Sequence, residues 1–125
     1  MEENKTKSFE DLKTWQLGHQ LVLAIYECTK KFPREEVFGL TSQLRRASVS
    51  VTSNIAEGFS RRTKKEKQQF YYQANGSLSE IKNQLLIARD LGYIEKRTYE
   101  EISNIANHSQ ALLQGLIKSC FSRVY

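Results

Sequence analysis

Four stretches of the chain place apolar residues three and four apart, the rhythm of a helix with one buried face. In the first, Leu12, Trp15, Val22, Ile25, Thr29 and Phe32 recur until Phe32-Pro33 ends the run. The second carries Leu40, Leu44, Ala47, Val51, Ile55 and Gly58. Phe70, Ala74, Leu78, Ile81, Leu85 and Ala88 mark the third, and Tyr99, Ile102, Ala106, Leu113, Leu116 and Cys120 the fourth. These stripes predict helices over about 9–31, 40–59, 64–91 and 98–123 in a single domain covering 1–125. Each approximates the seven-residue repeat of helices packed nearly antiparallel, so the predicted fold is all-α, an up-down-up-down four-helix bundle.

Local signals agree with this division. Ser8-x-x-Asp11, Thr63-x-x-Glu66 and Thr98-x-x-Glu101 have the capping-box pattern just ahead of three of the stripes. Gly58 and Gly92 fall where helices two and three are expected to stop. One stretch conflicts, since Ser48 to Ile55 alternates polar and β-branched residues as a strand does. No other segment alternates to pair with it, and the Leu44, Ala47, Val51, Ile55 spacing is helical, so the expectation is a helix.

The second helix is unusual on its outer side. From Ala47 to Ala56 it carries no charge, whereas a helix of a monomeric bundle keeps charged residues in water. Opposite its core stripe lie Val49, Ser50, Ser53 and Ala56, small enough to let another backbone come close. The expectation is a surface shared between identical subunits; the alternative is a central helix covered by its own loops. Asn54 and Glu57 on this helix, with Glu80 and Gln84 on the third, flank the core. A half-buried carboxylate needs a cation, so a network from Arg45 or Arg46 to Glu57 or Glu80 is predicted to fix helix register.

Composition adds limits. The chain has 125 residues, 39% hydrophobic and 26% charged, a globular balance. No apolar run approaches the roughly 20 residues that span a bilayer, and Met1–Lys13 lacks the apolar stretch of a signal peptide. A cytoplasmic location is expected, with no membrane partner. Cys28 and Cys120 read as small core residues. His19 and His108 have no spacing suited to a metal, and phosphate-cradling glycine loops are missing. The aromatics fall mostly on the stripes. No enzyme, cofactor or metal site is expected.

Charge is concentrated in one place. Residues 45–67 hold seven Lys/Arg against two Glu, while the remaining twelve bases and twelve acids cancel, so this segment carries the chain's whole net charge of +5. Arg61, Arg62, Lys64, Lys65 and Lys67 surround the predicted start of helix three. There they oppose the helix dipole by a few tenths of a kcal/mol each, while the open amides of the helix start favour an anion. Phosphate is the natural partner, gripped without sequence readout. Arg45 and Arg46 either join this cluster or serve the internal network.

Several blocks carry a family resemblance: Phe38-Gly39-Leu40 after Glu36, Gln43–Gly58, Gly76–Ile81 and Gln84–Ile94. From Phe9 to about Tyr125 the chain resembles the bacterial 23S rRNA intervening-sequence proteins. The resemblance implies a left-handed antiparallel four-helix bundle that assembles as a homopentameric toroid. It is also similar to the accessory variability determinant of diversity-generating retroelements, a basic pentameric barrel that binds nucleic acid and a reverse transcriptase. The leading expectation is thus a non-enzymatic ring that binds RNA or DNA phosphates, with a nucleic-acid enzyme as a further candidate partner. The rival is a protein–protein adaptor whose basic corner docks an acidic partner.

Overall fold

In the computed structural model, residues 7–121 are described. They form four helices and no strand: α1 Lys13–Thr29, α2 Leu40–Ser60, α3 Lys64–Asp90 and α4 Lys96–Ser119. Two short 3-10 turns, Phe9–Asp11 and Arg34–Glu36, precede α1 and α2. Ser48–Ile55 is helical, because burying Ser48, Val51 and Ile55 on one side satisfies a 3.6-residue period that a strand would break. The helices touch in the cyclic order α1–α2–α3–α4–α1, with no contact between α1 and α3 or between α2 and α4 among the described residues. α2 and α3 share the largest of these interfaces.

The core lies along the inner stripes. Every predicted stripe position of α2 is buried, as are Ala74, Leu78, Ile81, Leu85 and Ala88 of α3. The phase of α1 differs from the prediction. Gly18 and Leu21 are buried there, while Trp15 and Val22 are only half-buried. Trp15 instead stacks on His19 at 4.8 Å and meets the edge of Phe9 at 5.3 Å, clamping the first turn to α1.

The ends depart from the predicted boundaries for local reasons. Ser8 and Asp11 do form a capping box, but it closes the Phe9–Asp11 turn, and an extended Leu12 separates that turn from α1. Thr63 caps α3 by accepting from the Glu66 amide at 3.1 Å. Thr98 caps nothing: α4 starts earlier, at Lys96, after an extended Glu95. The C-terminal part of the predicted fourth helix, residues 122–123, lies outside the described residues. α3 ends at Asp90, and Gly92, two residues beyond, turns the chain at a φ of 81° so that the Tyr93 amide reaches back to the Ala88 carbonyl at 2.9 Å.

Two glycines admit close approaches. Gly58 is not a stop, for α2 continues to Ser60; a Cβ there would lie 2.6 Å from the buried Tyr71 ring of α3. Gly39 precedes α2 and has no side chain to cap it, so Glu36 does this work. Its carboxylate accepts from the Leu40 amide and from the Tyr93 hydroxyl, both at 2.9 Å. A Cβ at Gly39 would sit 2.7 Å from that carboxylate.

The Leu40 amide first, then the Tyr93 hydroxyl, hold the Glu36 carboxyl below the usual carboxylate range. A depressed folded pKa contributes stability above the unfolded pKa and loses it as pH falls through the folded one. The Glu36→Gln protein is therefore expected to melt below the unmodified protein at neutral pH. The difference should narrow as thermal melts are repeated at progressively lower pH; a pH-independent difference contradicts this account.

Candidate functional site

Arg61, Arg62 and Thr63 join α2 to α3, so the end of one helix and the start of the next lie side by side. Sequence reasoning treated the five basic residues here as one cluster. The structure divides them into two groups.

Lys67 and Arg61 are engaged within the chain. Lys67 Nζ donates to the Phe59 carbonyl at 2.7 Å and to the Gly58 carbonyl at 3.4 Å, closing the C-terminal end of α2. That end presents unpaired carbonyls and the negative pole of the helix dipole, which suits a cation. Arg61 donates to Glu57 Oε2 at 2.6 Å and lies 4.7 Å from the Phe70 ring centroid. The predicted conflict with the α3 dipole is thus offset, because the same cations neighbour the opposite pole of α2.

Arg62, Lys64 and Lys65 are exposed and make no ion pair among the described residues. Glu66 is the nearest acid in sequence. Of the first four α3 amides, Glu66 is bonded to Thr63 Oγ1 and Lys67 to the Thr63 carbonyl. The amides of Lys64 and Lys65 are the remaining donors of the helix start. Three free cations around two open amides make a surface for an oxyanion.

Arg45 and Arg46 do not belong to this corner. They lie fifteen and fourteen residues before Ser60, the last residue of α2, which is about 21–23 Å at about 1.5 Å per residue. Arg45 Nε donates to Thr29 Oγ1 at 2.8 Å and its guanidinium lies 4.7 Å from the Tyr26 ring, tying α2 to α1. Exposed Arg46 lines a groove between α2 and α3 with Glu80, Gln84 and Phe38.

The predicted Arg–Glu network is absent among the described residues. Glu57 pairs with Arg61 instead, since the i,i+4 step is shorter than any route to Arg45 or Arg46. Glu80 is exposed and forms no ion pair there. Neutral groups join α2 to α3: the Ser50 and Ser77 hydroxyls meet at 2.9 Å and Gln84 donates to Gln43 at 3.3 Å, while Asn54 donates to the Ser50 carbonyl at 2.9 Å within α2. Ser50, expected on the outer face, therefore serves this internal seam. Val49 and Ser53 are exposed on the outer side, and Ala56 is half-buried.

Sequence reasoning missed the helix-capping roles of Glu36 and Lys67. The first had a signal, a Glu four residues before the first apolar residue of α2 with Gly at the cap. The second had none, because it depends on the tight α2–α3 turn. Among the described residues no His/Cys/Asp/Glu group could hold a metal ion, and no helix is long and apolar enough to cross a membrane.

A helical bundle with one cationic end is the class that fold and site define. Residues 10–115 match the family described as 23S rRNA-intervening sequence protein, and the chain belongs to that family. In shape it is similar to a protein of unknown function from the S23 ribosomal protein family of Bacteroides thetaiotaomicron. The TM-score is 0.78 at 22% identity, covering 84% of this chain and 95% of that one. Among curated proteins nothing matches.

Proposed function

We propose that this chain is a non-enzymatic, cytoplasmic, ring-forming bundle, homopentameric as the family resemblance implies, that holds RNA or DNA by its phosphates. RNA is the favoured ligand, given a family described by its link to 23S rRNA intervening sequences. The observation that carries the reading is the trio Arg62, Lys64 and Lys65, exposed and making no ion pair among the described residues at the start of α3. Repeated around a ring, such trios make a multivalent positive surface. The test is an RNA titration of labelled oligonucleotides at increasing salt. Binding that fails even at low salt removes the nucleic-acid reading.

In this reading the bundle is antiparallel and left-handed. Antiparallel order is supported by pairings that rise on one helix as they fall on the next: Ser50 with Ser77 and Gln43 with Gln84, Gly18 near Thr52 and Arg45 with Thr29.

Assembly uses the exposed Val49 and Ser53 side of α2, bordered by Ala56. A carboxylate buried there against a neighbour lacks a partner and costs several kcal/mol. Val49→Glu or Ser53→Glu is expected to yield monomers of unchanged helical content, read by light scattering and circular dichroism. An unmodified protein that is monomeric at every concentration removes the ring.

A further inference from the structure

The segment before α2 holds a large aromatic ring in water. Phe38 is 95% exposed, although its flanks are anchored by Glu36, bonded to Tyr93 and to the Leu40 amide, and by the buried Leu40. A single exposed apolar side chain is ordinary. Phe38 differs because the same molecule carries a matching hole.

That hole is a cavity of about 370 Å³ between α1 and α4, with Ala24, Cys28, Ile94, Ile102 and Ile105 among its walls. Its lining is more apolar than that of the polar groove beside Phe38, and Glu27, Glu95, Glu101 and Lys31 complete it. Knob and hole lie at one end of the bundle, since Tyr93 lines the cavity and donates to Glu36, two residues before Phe38. They lie on opposite faces. Phe38 borders the α2–α3 groove, the cavity opens between α1 and α4, and the cyclic helix order sets those pairs across from each other.

A projection on one face and a socket at the same height on the opposite face cannot satisfy each other within one subunit. Between copies they pair head to tail, the heterologous arrangement that makes a ring where the rotation between copies closes, and not an isologous dimer. Both signs of charge occur on each side, Arg46 and Glu80 at the groove and Glu95 and Lys31 at the cavity, so opposite charges can meet in this docking. Arg46, beside Phe38, and Glu95, at the cavity, each make no ion pair among the described residues.

We propose that Phe38 of each subunit inserts into the Ala24–Ile102 cavity of the next, bringing Arg46 to the acidic rim at Glu95. The inference rests on the ring reading above and supplies the two faces that meet. It makes the α1–α4 side the receptor for the α2–α3 side.

The test uses Phe38→Ala, which removes the knob, and Ala24→Trp, which fills the socket. Ile105→Glu serves as a second socket variant should Ala24→Trp lose helical signal. In dilution series followed by light scattering, the concentration of half-dissociation is expected to rise roughly tenfold or more for each, as for a central aromatic anchor. In Phe38→Cys protein, a short bismaleimide is expected to link Cys28 of a neighbouring subunit and give a covalent ladder up to the ring, abolished by adding Cys28→Ser. Phe38→Ala rings as resistant to dilution as the unmodified ones overturn the knob and socket while leaving the ring standing. So does a ladder that survives Cys28→Ser. An unmodified protein that never assembles overturns the ring reading itself and this inference with it.

Discussion

Replacing Arg62, Lys64 and Lys65 together by glutamine is expected to reduce RNA binding more than any other surface change. Each phosphate contact to a single strand contributes about −0.7 to the slope of log K against log salt. Three contacts give about −2 per engaged subunit, or roughly a twenty-fold change in affinity between 50 and 200 mM salt. The triple variant should lose that share of the slope for every subunit touching the strand. Its fold should be unchanged, because none of the three side chains makes an ion pair among the described residues. The two engaged cations give the contrast. Lys67→Met removes the bonds to the Phe59 and Gly58 carbonyls, with an expected loss on the order of 1 kcal/mol in stability and little change in slope. If the triple variant and the unmodified protein have the same slope, RNA is held elsewhere or not at all.

That contrast locates the limit of what the sequence disclosed. The charge burst was visible in composition, but separating Lys67 and Arg61 from Arg62, Lys64 and Lys65 was not. The separation depends on a three-residue turn that sets the end of α2 beside the start of α3, a tertiary fact. Periodicity served best where a helix has an uninterrupted stripe, as in α2, whose predicted core is wholly buried. It served worst in α1, where Gly18 is inside and Trp15 is not fully so. A hydrophobicity pattern weights a large indole over a glycine, whereas packing against Val51 and Thr52 of α2 needs the small residue.

Ser50 on α2 shows a related limit. Ser50 looked like an outward residue because it lies off the apolar stripe. A helix packed between two neighbours has two flanks as well as an inner and an outer side. Ser50 belongs to the flank facing α3, where its hydroxyl meets Ser77; Val49 and Ser53 keep the outer side. Likewise Arg45 and Arg46, adjacent in sequence, diverge by about 100° around a helix. One therefore bonds to α1 and the other borders the α2–α3 groove. Spacing identified the helix, but only the positions of its neighbours assign each flank.

The largest effect on the fold is expected at Gly58, and it reaches the basic corner as well. A Cβ there would lie 2.6 Å and 2.9 Å from two ring carbons of Tyr71 and 3.1 Å from the Phe70 Cβ. Tyr71 is 3% exposed, so its ring or the whole of α2 must shift to admit the methyl group. Overpacking of this kind costs about 1–3 kcal/mol, against about 1 kcal/mol that alanine returns over glycine in a helix interior. Gly58→Ala is expected to destabilise by up to about 2 kcal/mol and Gly58→Leu by more, measured by urea unfolding. Gly76 provides the opposite case in α3. Nothing lies within 4 Å of a Cβ there, so Gly76→Ala should stabilise by up to about 1 kcal/mol. Because the Gly58 carbonyl also accepts from Lys67, separating α2 from α3 disturbs the turn that presents Arg62, Lys64 and Lys65. Gly58→Leu should therefore weaken RNA binding even at temperatures where it stays folded, although residue 58 itself is buried and uncharged. Equal stability of the Gly58→Ala and Gly76→Ala proteins would show that the helix contact at Tyr71 yields freely, and this link between packing and the charged corner would be lost.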